Sequence, residues 1–376
     1  MKFKVKKEKF NDAMANVSRA ISKKSTIPAL EGVLINANKE EGSLRLTGYN
    51  LEIGIVQTID AEVKEEGAIV LSAPLLMQIA KKAPTEDIEF NVGKKTTKIK
   101  SGKADYEIVG MKADDYPDLP ELLDTKSITL DAEEFADAVS TTAYCISDNN
   151  AKPVYTGALC EFAEKHLTIV AIDGVRMAVR RLSLDEGAIT DAVVIPKNTL
   201  LELVKAQRAY KDEENMELIL SKRHCSFKIG DIFIISRILE GDFLNYKTII
   251  PKDFKTTVTI RKDTIADCVD RLGIVCNETA KIPTPIRVNI DSGINMTAQS
   301  STGKGGETIT PLECVIDGEP VEIGFNQRYL ADAFSNISAD NIKLSLTGPL
   351  TPMIITANEE NNNEIHLVVP MRLLTK

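Results

Sequence analysis

Ser301-Thr-Gly-Lys-Gly-Gly-Glu307 is the stretch nearest in composition to a phosphate-cradling loop. Such a loop needs GxxxxGK[ST] spacing and a following apolar helix, so that backbone N–H groups and a lysine converge on phosphate. Both are missing, and the residues read as a flexible hairpin or loop. Asp114 and Asp115 could hold a metal as adjacent carboxylates. In Asp114-Asp-Tyr-Pro-Asp-Leu-Pro120, however, Pro117 and Pro120 fix the chain and the acids suit a solvated domain-edge turn. His224 and Cys225 are neighbours on an apparent strand, where successive side chains point to opposite faces, which disfavours a catalytic Cys–His pair. His166 and His366 have no acid–base companion nearby in sequence. The six cysteines (Cys145, Cys160, Cys225, Cys268, Cys276 and Cys314) contain no CxxC and fit buried free thiols better than a zinc site. No G-x-S-x-G, H-E-x-x-H or dinucleotide-binding fingerprint occurs. The expectation is a protein with no catalytic, cofactor-binding or metal residues; a metal-dependent hydrolase or nuclease with dispersed acidic groups is the alternative.

What must these residues be mounted on? A chain of 376 residues suits two or three domains, each large enough for its own core. Its 43% apolar and 27% charged residues are those of a globular protein. It has no run of about 20 apolar residues to span a membrane. Met1-Lys-Phe-Lys-Val5 lacks an apolar signal core, so a cytosolic location is expected. Tryptophan is absent and aromatics are 5%, which weakens any base-stacking module.

The strongest pattern is repetition. Phe3-Lys-Val-Lys-Lys-Glu-Lys-Phe-Asn-Asp-Ala-Met14, Ile128-Thr-Leu-Asp-Ala-Glu-Glu-Phe-Ala-Asp-Ala-Val139 and Val258-Thr-Ile-Arg-Lys-Asp-Thr-Ile-Ala-Asp-Cys-Val269 start alike. Each reads as an alternating strand followed by a helix whose apolar positions (Phe10/Met14, Phe135/Val139, Ile265/Val269) lie one turn apart. A second helix is expected around Leu76, Leu201 and Leu330, at separations of 66, 66 and 65 residues from Phe10, Phe135 and Ile265. Pro74 and Pro196 fit first helical turns, where a missing N–H is harmless. Alternating runs follow at Ile88, Met216 and Ile342. The reading is α+β: three domains, 1–122, 128–251 and 256–376, each with two helices packed on antiparallel sheet. Such units could form a curved array or a bent rod; closure into a ring needs a further interface.

Charge is distributed unevenly. Residues 6–24 carry a net +4, from Lys6, Lys7, Lys9, Arg19, Lys23 and Lys24 against Glu8 and Asp12. Residues 74–84 add +2 through Lys81 and Lys82, and 196–211 add +3, including Lys197 and Arg208. Residues 133–145 carry -3, while 261–272 and 326–338 are neutral. The helix regions thus total +6 in a chain of -9. Helices lining a lumen would present mild positive charge for non-specific phosphate contact; ordinary solvated helix faces would look the same.

Several motifs match one family in order and in register with the repeats: Met1-Lys-Phe3, Leu46-Thr-Gly-Tyr-Asn-Leu-Glu52, Ala171-Ile-Asp-Gly-Val-Arg-Met-Ala-Val179, Gly324-Phe-Asn326 and Val369-Pro-Met-Arg-Leu373. Over essentially its full length the chain resembles the bacterial DNA polymerase III beta subunit (beta sliding clamp) family. The resemblance implies three repeated sliding-clamp domains in a head-to-tail dimeric ring with six-fold pseudo-symmetry. The ring encircles duplex DNA, is opened by an ATP-driven clamp loader and catalyses nothing itself. Replicative polymerase and repair or mismatch factors dock through short clamp-binding peptides, in a pocket between the second and third domains.

By this resemblance the pocket draws Tyr155, Ile172, Gly174, Val175, Arg176, Met177, Leu244 and Ile249 from one part of the chain. It draws Asn326, Tyr329, Leu367, Val369, Met371 and Arg372 from another. Leu, Ile, Val, Met and Tyr suit leucine or phenylalanine anchors, and Arg176 and Arg372 suit polar groups at the rim. The chain departs from the family where Ile172 replaces a common Thr, Val175 a His or aromatic, and Leu244 a Pro; each swap keeps the site apolar but changes its peptide preference. The resemblance places Lys24, Ser25, Asn50 and Asn149 at DNA, and charge adds Lys23, Lys81, Lys82, Lys197 and Arg208 as phosphate contacts without sequence readout. It places Tyr106 and Ile108 against Ile274 and Val275 of a second copy. A peptide-binding scaffold of the same fold that does not encircle DNA is the other alternative.

Overall fold

A computed structural model describes residues 1–94, 96–163, 165–184, 190–276, 284–299, 306–358 and 363–373. Of the loop expected at 301–307, residues 301–305 lie outside the described residues, while Gly306 and Glu307 begin the strand Gly306–Leu312. The helices are α1 (Lys7–Val17), α2 (Ala73–Lys82), α3 (Ala132–Thr142), α4 (Lys197–Ala209), α5 (Lys262–Cys276) and α6 (Gln327–Asn336). Strands Lys2–Lys6, Lys126–Asp131 and Thr256–Arg261 run directly into α1, α3 and α5, as the three similar openings predict. Phe10, Met14, Phe135, Val139, Ile265 and Val269 are all buried, so each of these helices is held by its apolar stripe.

Four sequence expectations need correction. α1 tightens into a 3-10 turn at Ser18–Ala20 and Ile21 is extended, with φ -96° and ψ 132°, so Lys23 and Lys24 lie on a loop rather than a helix. Lys211 likewise lies beyond the end of α4. The core leucines of α4 are Leu200 and Leu203, while Leu201 is only partly buried; the helix phase is one residue from the expected one. Pro74 stands in the first turn of α2, but Pro196 ends strand Asp191–Pro196 opposite Gly157. Proline is tolerated there because Asp191–Pro196 is the edge strand of its sheet.

The chain forms two compact units, Met1–Ala136 with Asn198–Ile238, and Asp137–Lys197 with Leu239–Lys376. In the first, a five-stranded antiparallel sheet runs Glu62–Glu65, Lys2–Lys6, Asp87–Val92, Thr96–Ser101, Ala104–Val109. Phe90 stacks on Phe3 at 4.6 Å between ring centroids and meets Phe10 of α1 at 5.3 Å, which fastens helix to sheet. An eight-stranded sheet joins Lys126–Asp131, Asn215–Leu220, His224–Ile229 and Ile232–Arg237 of the second repeat to Ile53–Asp60, Ser43–Tyr49, Gly32–Asn38 and Gly67–Ser72 of the first.

In the second unit, a nine-stranded sheet joins Asp191–Pro196, Gly157–Ala163, His166–Ile172 and Arg176–Ser183 of the second repeat to Glu364–Val368, Met353–Ala357, Asn341–Leu346, Thr256–Arg261 and Val315–Gly318 of the third. A four-stranded sheet orders Gly306–Leu312, Ile294–Gln299, Ile286–Ile290 and Val321–Phe325. α5 and α6 bury Val269, Leu272, Leu330 and Phe334 in one core with Phe325 and Ile355.

The repeats therefore join by strand pairing. Ile53–Asp60 of repeat one pairs antiparallel with Ile232–Arg237 of repeat two, with Ile55 opposite Ile234. Arg176–Ser183 of repeat two pairs with Glu364–Val368 of repeat three, with Met177 opposite Leu367. Each join matches the last strand of one kind of sheet with the last strand of the other kind. By the same repeat order, Gly306–Leu312 is the third copy of the first kind and Ala104–Val109 the third copy of the second. Among the described residues each pairs on one side only, with Ile294–Gln299 and Thr96–Ser101 respectively.

Candidate functional site

The face of the nine-stranded sheet carrying Val170, Ile172, Met177, Val179 and Leu367 is a continuous apolar surface, because alternate residues on neighbouring strands share one side. Tyr155, Ile249 and Val369 pack against it while remaining partly exposed. The structure thus brings six of the sequence-nominated pocket residues into one cluster: Tyr155, Ile172, Ile249, Met177, Leu367 and Val369. Leu244 and Arg372 are exposed and stand outside that cluster. Phe243 and Tyr246 belong to it although sequence reasoning missed them; Phe243 meets Tyr155 edge-on at 5.5 Å.

The rim is built from a tight turn and a helix start. Asp173 Oδ1 accepts the Val175 and Arg176 backbone N–H groups at 3.0 Å, and Gly174 between them has φ +96°. A β-substituted residue is strained at that angle, so glycine is required there. Val369 N–H donates to the Val175 carbonyl at 2.9 Å, and Met371 N–H to the Gly324 carbonyl at 2.7 Å, which ties the C-terminal segment down. Asn326 caps α6 by accepting the Arg328 N–H at 2.9 Å. Its side chain has a structural task whatever else it touches.

Arg176 is the most constrained charge. Its Nε donates to Asp173 Oδ2 at 2.8 Å and a terminal nitrogen donates to Asp332. The guanidinium lies 5.3 Å from the Tyr144 ring centroid and 5.0 Å from that of Tyr329. Burial opposes its charge, but Asp173 and Asp332 hold its pKa above the usual arginine value. It stays a cation, held in place by two acids and two aromatic rings.

Beneath it runs a buried polar chain that local sequence reasoning did not show. Tyr144 Oη is 2.7 Å from His366 Nδ1, and His366 Nε2 is 2.8 Å from Glu364 Oε1. An Nε2–H imidazole satisfies both contacts. Arg180 donates to Glu364 Oε2 at 3.1 Å and to Asp137 at 3.3 Å, and the Ser338 N–H also donates to Glu364. Burial pushes the Glu364 carboxyl up, yet the His366 hydrogen bond and the Arg180 charge leave it below its ordinary value. His366 therefore has an acidic companion two residues away that the sequence reading passed over, and the pair joins repeats two and three rather than doing acid–base chemistry on a substrate.

The equivalent groove in the first unit is already filled. Its strands place Tyr49, Gly54 and Ile235 where the second unit has Ile172, Met177 and Leu367. Leu119 lies over them so closely that a Cβ on Gly54 would come within 2.6 Å of its Cδ2. Tyr116 joins the same cluster and donates to the Thr47 carbonyl at 3.3 Å. The chain's own leucine and tyrosine thus occupy this copy of the surface.

For the nominated phosphate contacts the structure separates two groups. Lys23, Lys24, Lys81, Lys82 and Arg208 are exposed, and none makes an ion pair among the described residues. Arg19 pairs with Glu202 at 3.5 Å, which brings the end of α1 beside α4 in the first unit. Lys197 is neutralised by Asp148 at 2.7 Å. Ser25, Asn50 and Asn149 each spend side-chain oxygen on a turn, accepting the Ile27, Ile53 and Ala151 N–H groups. Of the nominated seam residues, Ile274 is 76% exposed and Val275 partly buried; Tyr106 is partly exposed and Ile108 is 8% exposed, while Val109 beside it is 75% exposed. None of the six cysteines is in a disulfide and five are buried, with Cys314 partly exposed. No helix among the described residues is long and apolar enough to cross a membrane, and no group of His, Cys, Asp and Glu among them could hold a metal ion.

Three family models match this chain end to end: DNA polymerase III beta subunit N-terminal domain over residues 1–120, central domain over 129–245 and C-terminal domain over 247–372. The beta sliding clamp of Bacillus subtilis (strain 168) is 28% identical over 99% of this chain and 100% of its own. That of Halalkalibacterium halodurans is 29% identical over the same shares. Among solved structures, the DNA polymerase sliding clamp from Bacillus subtilis superposes with a TM-score of 0.92 at 27% identity, covering 100% of both chains. The DNA polymerase beta subunit from Streptococcus pyogenes gives 0.92 at 25% identity, over 99% of this chain and 100% of its own.

Proposed function

We propose a mechanism from one premise: the chain belongs to the DNA polymerase III beta subunit family, the beta sliding clamps. It is a processivity clamp of DNA polymerase III and a non-catalytic accessory subunit. Its domains are taken as 1–122, 128–251 and 256–376.

The observation that carries the mechanism is the unmatched strand of each kind. Two joins within the chain consume two strands of each sort, and among the described residues Ala104–Val109 and Gly306–Leu312 are left over. Pairing one with the other on a second copy would close a head-to-tail homodimer with six similar domains. Exposed Val109 and Ile274 would be covered at that seam. Left open, such strand edges invite uncontrolled association.

A closed ring around duplex DNA holds by topology, so it needs little affinity. Lys23, Lys24, Lys81, Lys82 and Arg208 would touch phosphates weakly and without sequence preference, which permits sliding. A chain of net charge -9 suits that weak grip. The apolar face at Ile172, Met177 and Leu367 would take leucine or phenylalanine anchors of polymerase, loader and repair-factor peptides, with Arg176 orienting them. Tethering then keeps a polymerase at high effective concentration beside the primer end. The work belongs in the bacterial cytoplasm. Primer extension with the cognate polymerase, loader and ATP tests this: long products that require the chain support it, and products equally short with and without it count against it.

A further inference from the structure

The apolar face does not end at Met177. Along the same side of the sheet, Val179 pairs with Val170 and Ile365, and Arg181 with Thr168. These residues lead into a cavity of about 290 Å³ lined by Glu161, His166, Thr168, Arg181, Tyr246 and Lys247. Arg181 lies four positions along the strand from Met177, roughly 13 Å away. An extended peptide covers that span in about four residues.

Among the described residues, the charges lining the cavity are not balanced. Lys247 pairs with Glu161 at 2.9 Å, and Tyr246 Oη donates to the same carboxylate at 2.8 Å. Arg181 lies 2.9 Å from a ring nitrogen of His166 and makes no ion pair among the described residues. Among the described residues, two cations thus face one carboxylate. The first unit has a cavity at the equivalent strand positions, lined by Arg45, Val56, Thr58 and Phe233. There Glu40, Glu41, Glu66 and Asp231 oppose Arg45 and Lys228. The duplicated fold made the cavity twice with opposite charge, so an acidic group favours the copy that adjoins the apolar layer of Ile172, Met177 and Leu367.

We propose that the Arg181–Lys247 cavity is a second subsite of the peptide groove, taking an acidic side chain about four residues from the apolar anchor of the same bound peptide. The proposal rests on the groove reading above, and its test separates the two.

The full-length protein is titrated with three fluorescent peptides: one with leucine and phenylalanine anchors and neutral flanks, and two with a glutamate about four residues beyond the anchors on either side. The neutral peptide should bind, and one acidic version should bind about five- to tenfold tighter, with the gain shrinking in high salt. Arg181→Ala, at an exposed position, should abolish the gain and leave the neutral peptide's Kd in place; Arg181→Glu should turn the gain into a loss. Binding of the neutral peptide without a gain from either glutamate, or a gain that survives Arg181→Ala, overturns the subsite alone. Failure of the neutral peptide to bind overturns the groove and the subsite with it.

Discussion

Replacing Glu364 by glutamine should destabilise the second unit in a pH-dependent way. The Glu364 side chain is 4% exposed and that of Arg180 20%, so solvent screens their contact little. Glutamine keeps the shape: its oxygen can face Arg180 and the Ser338 N–H, and its amide can face His366 if the ring tautomer flips. What it loses is charge. Breaking a buried pair outright costs about 3–5 kcal/mol, but Arg180 retains Asp137 and the hydrogen bonds are replaced, so about 2–3 kcal/mol is expected. For a unit of roughly 200 residues, at about 2–4 °C per kcal/mol, Tm should fall by about 5–10 °C at pH 7. The folded carboxyl titrates below its ordinary 4.5, so its contribution is complete above that value and is lost as pH falls through the folded one. A protonated Glu364 carboxyl and the glutamine amide that replaces it are near-equivalent, so the Tm gap between wild type and Glu364→Gln should narrow below pH 4.5 and close as pH falls through the folded value. Scanning calorimetry across pH 7 to 3 measures this. A gap that is absent at pH 7, or unchanged at pH 3, would refute the role assigned to the charge.

Other outcomes follow from named groups. Burial pushes the Cys225 thiol up to about 12 and raises Cys145 as well; the native protein should leave both unlabelled by a thiol reagent at pH 8 and label them only on unfolding. Labelling of either at the rate of a free thiol contradicts their burial. Lys23→Ala with Lys24→Ala should reduce the salt slope of weak duplex binding by about two, read by fluorescence anisotropy. An unchanged slope removes them from the DNA-facing set. Ile274→Asp or Val109→Asp should shift a dimer toward monomer in sedimentation at micromolar concentration, and an unperturbed dimer would move the seam elsewhere.

Much of the fold was legible because its periodicity is local. The openings at Phe3, Ile128 and Val258 declare strand then helix, and Phe10, Phe135 and Ile265 sit where their spacing says. Helix ends were less legible: nothing in Lys23-Lys24 separates a helix turn from a loop, and the extended Ile21 decides it. The Asp173-Gly174 turn could have been read, since Asp-Gly is a strong turn signal. The Glu364–His366 pair could have been read too, being two residues apart, but its link to Tyr144 could not, because Tyr144 and His366 are 222 residues apart and meet only when Arg176–Ser183 pairs with Glu364–Val368. Leu119 gave no sign that it would cover Gly54, for the same reason. The pocket residues were nominated by resemblance; composition alone would have called Ile172, Met177 and Leu367 plain core, and they are indeed almost fully buried.

The most direct test of the central claim is retention on closed DNA. Labelled protein is loaded onto nicked circular plasmid with the loader and ATP, then passed through gel filtration in high salt before and after the plasmid is linearised. The account predicts that protein stays with the circle and is lost from the cut molecule. Equal retention on both would mean ordinary adhesion, and absence from both with an active loader would contradict encirclement.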